Sequence, residues 1–300
     1  MSADRTHAAP VAALLGASGV LGIALAEALG PRAAVRTYLT RPLSGAVRFD
    51  ATTSSLSELL GRIDPQPEVA LILLGVTNID ACVRDPAGSA KINVAGVMGV
   101  VRECTVLGIK PVFISSDGVF DGSRAYWSED DKPSPILTYG RQKVAVENFM
   151  AALSSPWLVV RIPKLLSPML DDWIRALGSS APVECAIDQY FTPMRASDAA
   201  RAIVALIDQG ASGLHHVTGP ERISRCELLH ALAAEYRKHA NTHAPILPRN
   251  MREIEMSKNL REPRPLDTSM RSVRSAQLPI AEHPSSVARR LVRQHFSVDR

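Results

Sequence analysis

The chain reads as an α/β protein, a doubly wound parallel-sheet Rossmann domain with a smaller C-terminal substrate lobe. Three observations predict this. Short apolar segments alternate with helix-period segments through the first half, the first of them runs into the glycine-rich turn GASGVLG, and the alternation loses regularity after about residue 220. The apolar segments show no polar alternation, as expected of strands covered on both faces.

In chain order, VAALLGAS (11–18) reads as a strand running into a loop, VLGIALAEAL (20–29) as a helix and AAVRTYLT (33–40) as the second strand. A helix over 54–61 leads into the strand EVALILLG (68–75), and a long helical region over about 86–107 precedes the strand KPVFISS (110–116). The helix 138–153 precedes WLVVRIP (157–163), and the helix 197–208 precedes SGLHHVTG (212–219). The Rossmann domain is therefore assigned to 1–163 with about 190–220. The substrate lobe is assigned to about 164–189 and 221–300, with the Pro-rich joints HAPILPRN and REPRPLDTS.

A length of 300 residues, 46% of them hydrophobic, suffices to bury the core of such a pair of units. The longest apolar runs fall well short of the roughly 20 residues that span a bilayer, so no membrane segment is predicted. The N-terminal MSADRTHAAP carries Asp4 and His7 and lacks the apolar stretch of a signal peptide, which points to a cytoplasmic protein. A net charge of +4 is too small for a nucleic-acid partner and suits a small anionic substrate. A homodimer is left open. Cys82, Cys104, Cys185 and Cys226 are scattered without metal-ligand spacing, so reduced, buried thiols and no metal are expected.

GASGVLG places Gly16, Ser18, Gly19, Val20, Leu21 and Gly22 at the first strand-to-helix turn. Glycines there permit a tight turn and close backbone approach, and the helix N-terminus offers unpaired N–H groups to a diphosphate. An acidic residue at the end of the second strand would meet a free ribose 2′-hydroxyl, but the sequence has Tyr38, Leu39, Thr40 and Arg41. Arg41 could pair with a 2′-phosphate, which favours NADPH over NADH; a solvated loop arginine is the competing reading. Asp50 could contact the adenine amino group or cap a strand end.

Tyr139 and Lys143 stand four residues apart, so a helix brings them to one face, about 5–6 Å apart at Cβ. An ammonium that close is expected to lower the phenol pKa and make it a usable acid. A solvated helix face is the alternative for such a pair taken alone. Upstream, FISSDGVFDG puts Ser115 or Ser116 at the end of a strand, where ligands of open α/β sheets bind and where a hydroxyl can hold a carbonyl oxygen. His215 and His216, adjacent in a strand, point to opposite faces and are not expected to share a metal.

The glycine turn, the strand-end serine and YxxxK, in that order, resemble the extended short-chain dehydrogenases/reductases. More narrowly, FISSDGVFDG, YWSEDDKPSPILTYGRQKVAVE and RPLDTSM resemble the dTDP-4-dehydrorhamnose reductase branch, whose wording is near STDYVFDG, YGxSKxxGE and RPxxSxL. The resemblance implies that Ser116 hydrogen-bonds the carbonyl, Tyr139 donates the proton and Lys143 holds the ribose hydroxyls and the tyrosine. It also implies Thr77, in GVTNIDACVRDP, beside substrate and nicotinamide, and Asp117 at the substrate. Asn93 matches a structural or relay residue of the long helix. Arg161 matches the arginine after the YxxxK helix, expected at the substrate, and Arg264 that of the late RP motif, with a substrate phosphate as partner; a surface salt bridge is the competing reading for each.

Val76, Val83 and Gly118 depart from the pattern, standing where it has tyrosine, an acid and tyrosine. The resemblance then implies an NADPH-dependent reductase of a ketone, a 4-keto sugar nucleotide or related anionic metabolite, with a changed substrate. Two alternatives remain: a non-enzymatic cofactor-binding regulatory subunit similar to that of methionine adenosyltransferase, and an NAD-retaining sugar-nucleotide epimerase.

Overall fold

The computed structural model describes residues 9–240, 243–275 and 278–298. Asp4 and His7, on which the expectation about the N-terminus rests, lie outside them.

Eleven strands are present in the described residues: β1 (Ala12–Leu15), β2 (Ala33–Tyr38), β3 (Val47–Arg48), β4 (Val69–Ile72), β5 (Lys110–Ser116), β6 (Leu158–Ile162), β7 (Val183–Ala186), β8 (Tyr190–Phe191), β9 (Gly213–His216), β10 (Ile223–Ser224) and β11 (Ile246–Arg249). Seven form one sheet in the order β3-β2-β1-β4-β5-β6-β9, every neighbouring pair parallel. The order reverses direction at β1, which makes the sheet doubly wound.

Strand alternation divides the apolar side chains between two layers. Ala12, Leu14, Leu71, Val112 and Val160 face helices Val20–Leu29 and Ala196–Asp208. Ala13, Leu15, Ile72, Phe113 and Val159 face helices Val97–Val106 and Thr138–Ala151. Both faces are dry, which accounts for the unbroken apolar runs of the strands.

The predicted long helix is helical throughout, but Lys91–Gly96 forms a π turn within it. There the Asn93 side chain accepts from Val76 N–H at 2.6 Å and donates to Val76 C=O at 3.0 Å and to Gln142 at 2.7 Å. Asn93 thus ties the loop after β4 to the Tyr139 helix. The edge strand β3 and helix Ile79–Arg84 are short elements that apolar periodicity did not reveal.

A second core gathers Leu166, Leu170, Val183, Phe191, Leu229 and Val292 from helices Leu166–Leu177, Arg225–Tyr236 and Pro284–Val298 and strands β7, β8 and β11. The middle helix begins at a capping box: Ser224 Oγ accepts from Glu227 N–H at 3.1 Å, while the Glu227 carboxylate accepts from Ser224 N–H at 2.7 Å. That cap fixes Arg225 as the first helical residue.

Candidate active site

A cleft of about 680 Å³ lies over the carboxyl ends of β1, β4, β5 and β6, walled on its other side by residues of the second core. Its lining includes Gly16, Gly19, Val20, Leu21, Gly22, Arg41, Thr77, Ser116, Asp117, Tyr139, Lys143 and Arg264.

No side chain caps the N-terminus of helix Val20–Leu29, so its first N–H groups are turned to the cleft unshielded. A Cβ on Gly22 would lie 2.6 Å from Gly16 O, so only glycine lets the turn pack this closely on the helix. Gly16 N–H is held by Thr37 Oγ1 at 3.0 Å, which joins the turn to β2. This cradle fits a dinucleotide diphosphate: backbone donors, a positive helix end and no side chain in the way. Arg41 is exposed and lines the cleft at the end of β2.

Two residues expected at the cofactor lie elsewhere. Ser18 is half-buried outside the cleft lining. Asp50 accepts from Thr52 N–H at 2.9 Å and Thr52 Oγ1 at 2.7 Å, and these bonds hold its carboxyl below the ordinary range. Its role is the cap, because the turn after β3 folds back on the carboxylate before it reaches the cleft.

Helix Thr138–Ala151 packs on the Asp117–Val119 turn so closely that a Cβ on Gly140 would meet Gly118 O at 2.0 Å. Tyr139 is thereby set beside Ser116, whose hydroxyl donates to Asp117 at 2.9 Å and accepts from Gly118 N–H at 3.0 Å. Lys143 is buried, donates to Ile114 C=O at 2.8 Å and stands 5.5 Å from the Tyr139 ring centroid. Burial depresses the Lys143 ammonium to about 8, against the opposing pull of Glu147.

The expected lowering of the tyrosine pKa is corrected. Burial and then the Asp117 carboxylate raise the Tyr139 phenol, with only the Ser116 hydroxyl opposing. Desolvation of the phenolate dominates, and Lys143, 5.5 Å from the ring centroid, does not offset it.

Arg161 is a second correction. It is 1% exposed and absent from the cleft lining. It forms a two-pronged pair with Glu147 at 2.6 and 3.0 Å and approaches His216 at 3.4 Å. Alternation along β6 turns its side chain beneath the sheet, so neither a substrate contact nor a surface salt bridge describes it. Ser115, the other candidate serine, borders the cleft, but it is buried and its hydroxyl donates to Glu147. Arg264 lines the cleft but is paired with Asp80 at 2.6 Å.

The four separate thiols are a third correction: Cys185 and Cys226 are joined as a disulfide, Cα atoms 4.9 Å apart, while Cys82 and Cys104 are free and buried. The partners come from β7 and the Arg225 helix, a contact across 41 residues that spacing alone does not reveal. Lys164, Gln189, Tyr190, Arg225 and Thr268 also line the cleft and were not foreseen. Thr268, from RPLDTSM, donates to Asp117 at 3.0 Å. Among the described residues no cluster of potential metal ligands occurs, and no helix is long and apolar enough to cross a membrane.

Residues 12–289 match the RmlD substrate binding domain family. The chain belongs to this family. Its members of the dTDP-4-dehydrorhamnose reductase type are NAD(P)-dependent oxidoreductases acting on sugar nucleotides. The chain is similar to the probable low-salt glycan biosynthesis reductase Agl14 of Haloferax volcanii, 27% identical over 70% of this chain and 74% of that one. It is also similar to methionine adenosyltransferase 2 subunit beta of Rattus norvegicus, 25% identical over 61% of this chain but 59% of the relative, less than two thirds of its length. Among solved structures, dTDP-4-dehydrorhamnose reductase from Bacillus anthracis in complex with NADP shares the fold at a TM-score of 0.79, with 22% identity over 98% of this chain and 100% of that one.

Proposed function

We propose that this RmlD-family protein is an NADPH-dependent reductase of a ketone borne by a sugar nucleotide or related anionic metabolite. One observation carries the reading: the uncapped glycine turn lines the same cleft as Ser116, Tyr139 and Lys143. The NADP named for the Bacillus anthracis neighbour supports the choice of cofactor, as does Arg41 in place of an acid at the end of β2. When bound, NADPH supplies the hydride.

The turn Gly16–Gly22 would hold the diphosphate, Arg41 the 2′-phosphate, and Thr77 and Lys143 the nicotinamide end. Ser116 would turn its hydroxyl from Asp117 to donate to the substrate carbonyl oxygen and orient it. Tyr139 gives its phenolic proton to that oxygen as the alkoxide forms; the raised phenol pKa keeps the proton in place through neutral pH, the state a reduction requires. Lys143, an ammonium below about pH 8, favours the tyrosinate left behind. Residues 1–163 with about 190–220 then serve as the cofactor domain and the remainder as the substrate lobe.

The test is NADPH consumption with a panel of keto-sugar nucleotides, for the protein and for Tyr139→Phe. Removing the proton donor should lower kcat by about 10²–10⁴-fold with NADPH affinity retained. Equal turnover in that variant would sink the mechanism. NADPH binding without turnover on any ketone, together with a stoichiometric protein partner, would favour a regulatory role like that named for the methionine adenosyltransferase subunit.

A further inference from the structure

The substrate side of the cleft carries four cations, and they fall into two kinds. Arg264 is paired with Asp80 at 2.6 Å, and Lys258 lies 3.7 Å from Glu184. Lys164 and Arg225 line the same cleft with no carboxylate in ion-pair reach among the described residues. Arg225 Nε donates to Gln189 and Nη1 reaches only the weak acceptor Met169 Sδ at 3.1 Å.

Their place in the fold is well defined. Ser116 on β5 pairs with Ile162 on β6, so Lys164 lies two residues past that level, beyond the carboxyl end of β6, where its backbone N–H bonds the Asp117 carboxylate. The capping box sets Arg225 at the start of its helix, 5.3 Å from the Phe191 ring centroid. Lys164 is lowered by desolvation and then by Arg225, Arg225 is lowered by burial and by Arg264, and Asp117 opposes both shifts. That single carboxylate is already engaged by Ser116 and Thr268. Two like charges held near each other without dedicated partners are unfavourable, and an entering anion relieves them.

Space is available beside them. A Cβ on Gly118 would meet Ser116 Oγ at 3.4 Å and Tyr139 at 3.7 Å, ordinary contacts, so packing does not demand glycine there. The missing side chain leaves room next to the proposed proton donor.

We propose that Lys164 and Arg225 receive an acidic group on the sugar itself, close to the reducible carbonyl, so that the substrate class is the keto-uronates of sugar nucleotides. This rests on the reductase reading. A diphosphate attached across the sugar ring lies a ring's width from the reacting carbon, whereas Lys164 lies beside Asp117, the carboxylate that Ser116 bonds.

The probes are two matched pairs, UDP-glucuronate with UDP-glucose and the corresponding dTDP sugars, titrated calorimetrically into the NADP-loaded protein. Within a pair only the sugar carboxylate differs. At least one pair should show about tenfold or greater preference for the uronate, the size expected of charge-assisted hydrogen bonds. Lys164→Gln and Arg225→Gln should each reduce that ratio toward one, chiefly by weakening the uronate. Because Lys164 lies past the end of β6 with no ion-pair partner among the described residues, its variant keeps the test valid should Arg225→Gln fail to fold.

Lack of uronate preference in both series, including lack of binding, overturns the proposal. So does an equal weakening of both members of a pair, which would place the diphosphate at these cations. Turnover of a neutral keto sugar without uronate preference would overturn this inference and leave the reductase reading standing. Uronate preference in a protein that oxidises NADPH with no ketone would do the reverse.

Discussion

Two polar clusters share the same pair of elements, β5 and helix Thr138–Ala151, and differ in almost everything else. One, Ser116 with Tyr139 and Lys143, opens on the cleft. The other, Ser115 with Glu147, Arg161 and His216, is sealed under the sheet. One residue along the strand, or four along the helix, moves a side chain from chemistry to architecture. The open cluster keeps the Tyr139 proton and engages Ser116 with a carboxylate at the cleft, while the sealed one has spent its side chains on one another. In the sealed cluster the guanidinium and carboxylate meet in the paired geometry a buried charge needs.

The comparison breaks most visibly at Arg161. Arg161→Met leaves Glu147 buried without its counter-ion and should cost about 3–5 kcal/mol, read as a lower denaturant midpoint. The double variant Arg161→Met/Glu147→Met should recover much of that loss. A single variant as stable as the parent would show that the pair is not sealed.

Acid and alkali should separate the clusters next. Burial holds His216 neutral, lowering it from 6.5 to about 4. The unfolded chain takes up this proton first. The stability that His216 contributes is therefore whole above about pH 6.5 and is lost as pH falls toward 4, by up to about 3 kcal/mol. His216→Phe should flatten that part of a melting-temperature profile. On the other side, kcat/KM should fall as pH rises through about 8, where Lys143 loses its proton. A rate constant level from pH 7 to well past 8 would remove the ammonium from the mechanism.

The smallest and most local contrast is between neighbouring serines. Ser115→Ala removes a hydrogen bond to Glu147 and should cost about 1–2 kcal/mol of stability with turnover nearly unchanged. Ser116→Ala should lower kcat by about tenfold or more with little change in stability. The opposite assignment of effects would mean the register of β5 is misread.

Local sequence rules set six of the seven strands of the main sheet, the glycine turn and the Tyr139/Lys143 face: apolar periodicity, the needs of a strand-to-helix turn, and a four-residue helical spacing. It also pointed to the right end of the sheet for Ser116. It left Ser115 and Ser116 as alternatives, and gave Arg161 to a ligand or the surface, because which face of the sheet meets the cleft depends on the register of strands distant in the chain. The direction of the Tyr139 shift was missed for a related reason: spacing reveals a nearby lysine but not the desolvation that outweighs it. Lys164, Arg225 and the Cys185–Cys226 bond belong wholly to tertiary structure. They come together only when the second core folds against the carboxyl edge of the sheet, and no short-range pattern encodes which residues that packing brings within reach of Ser116.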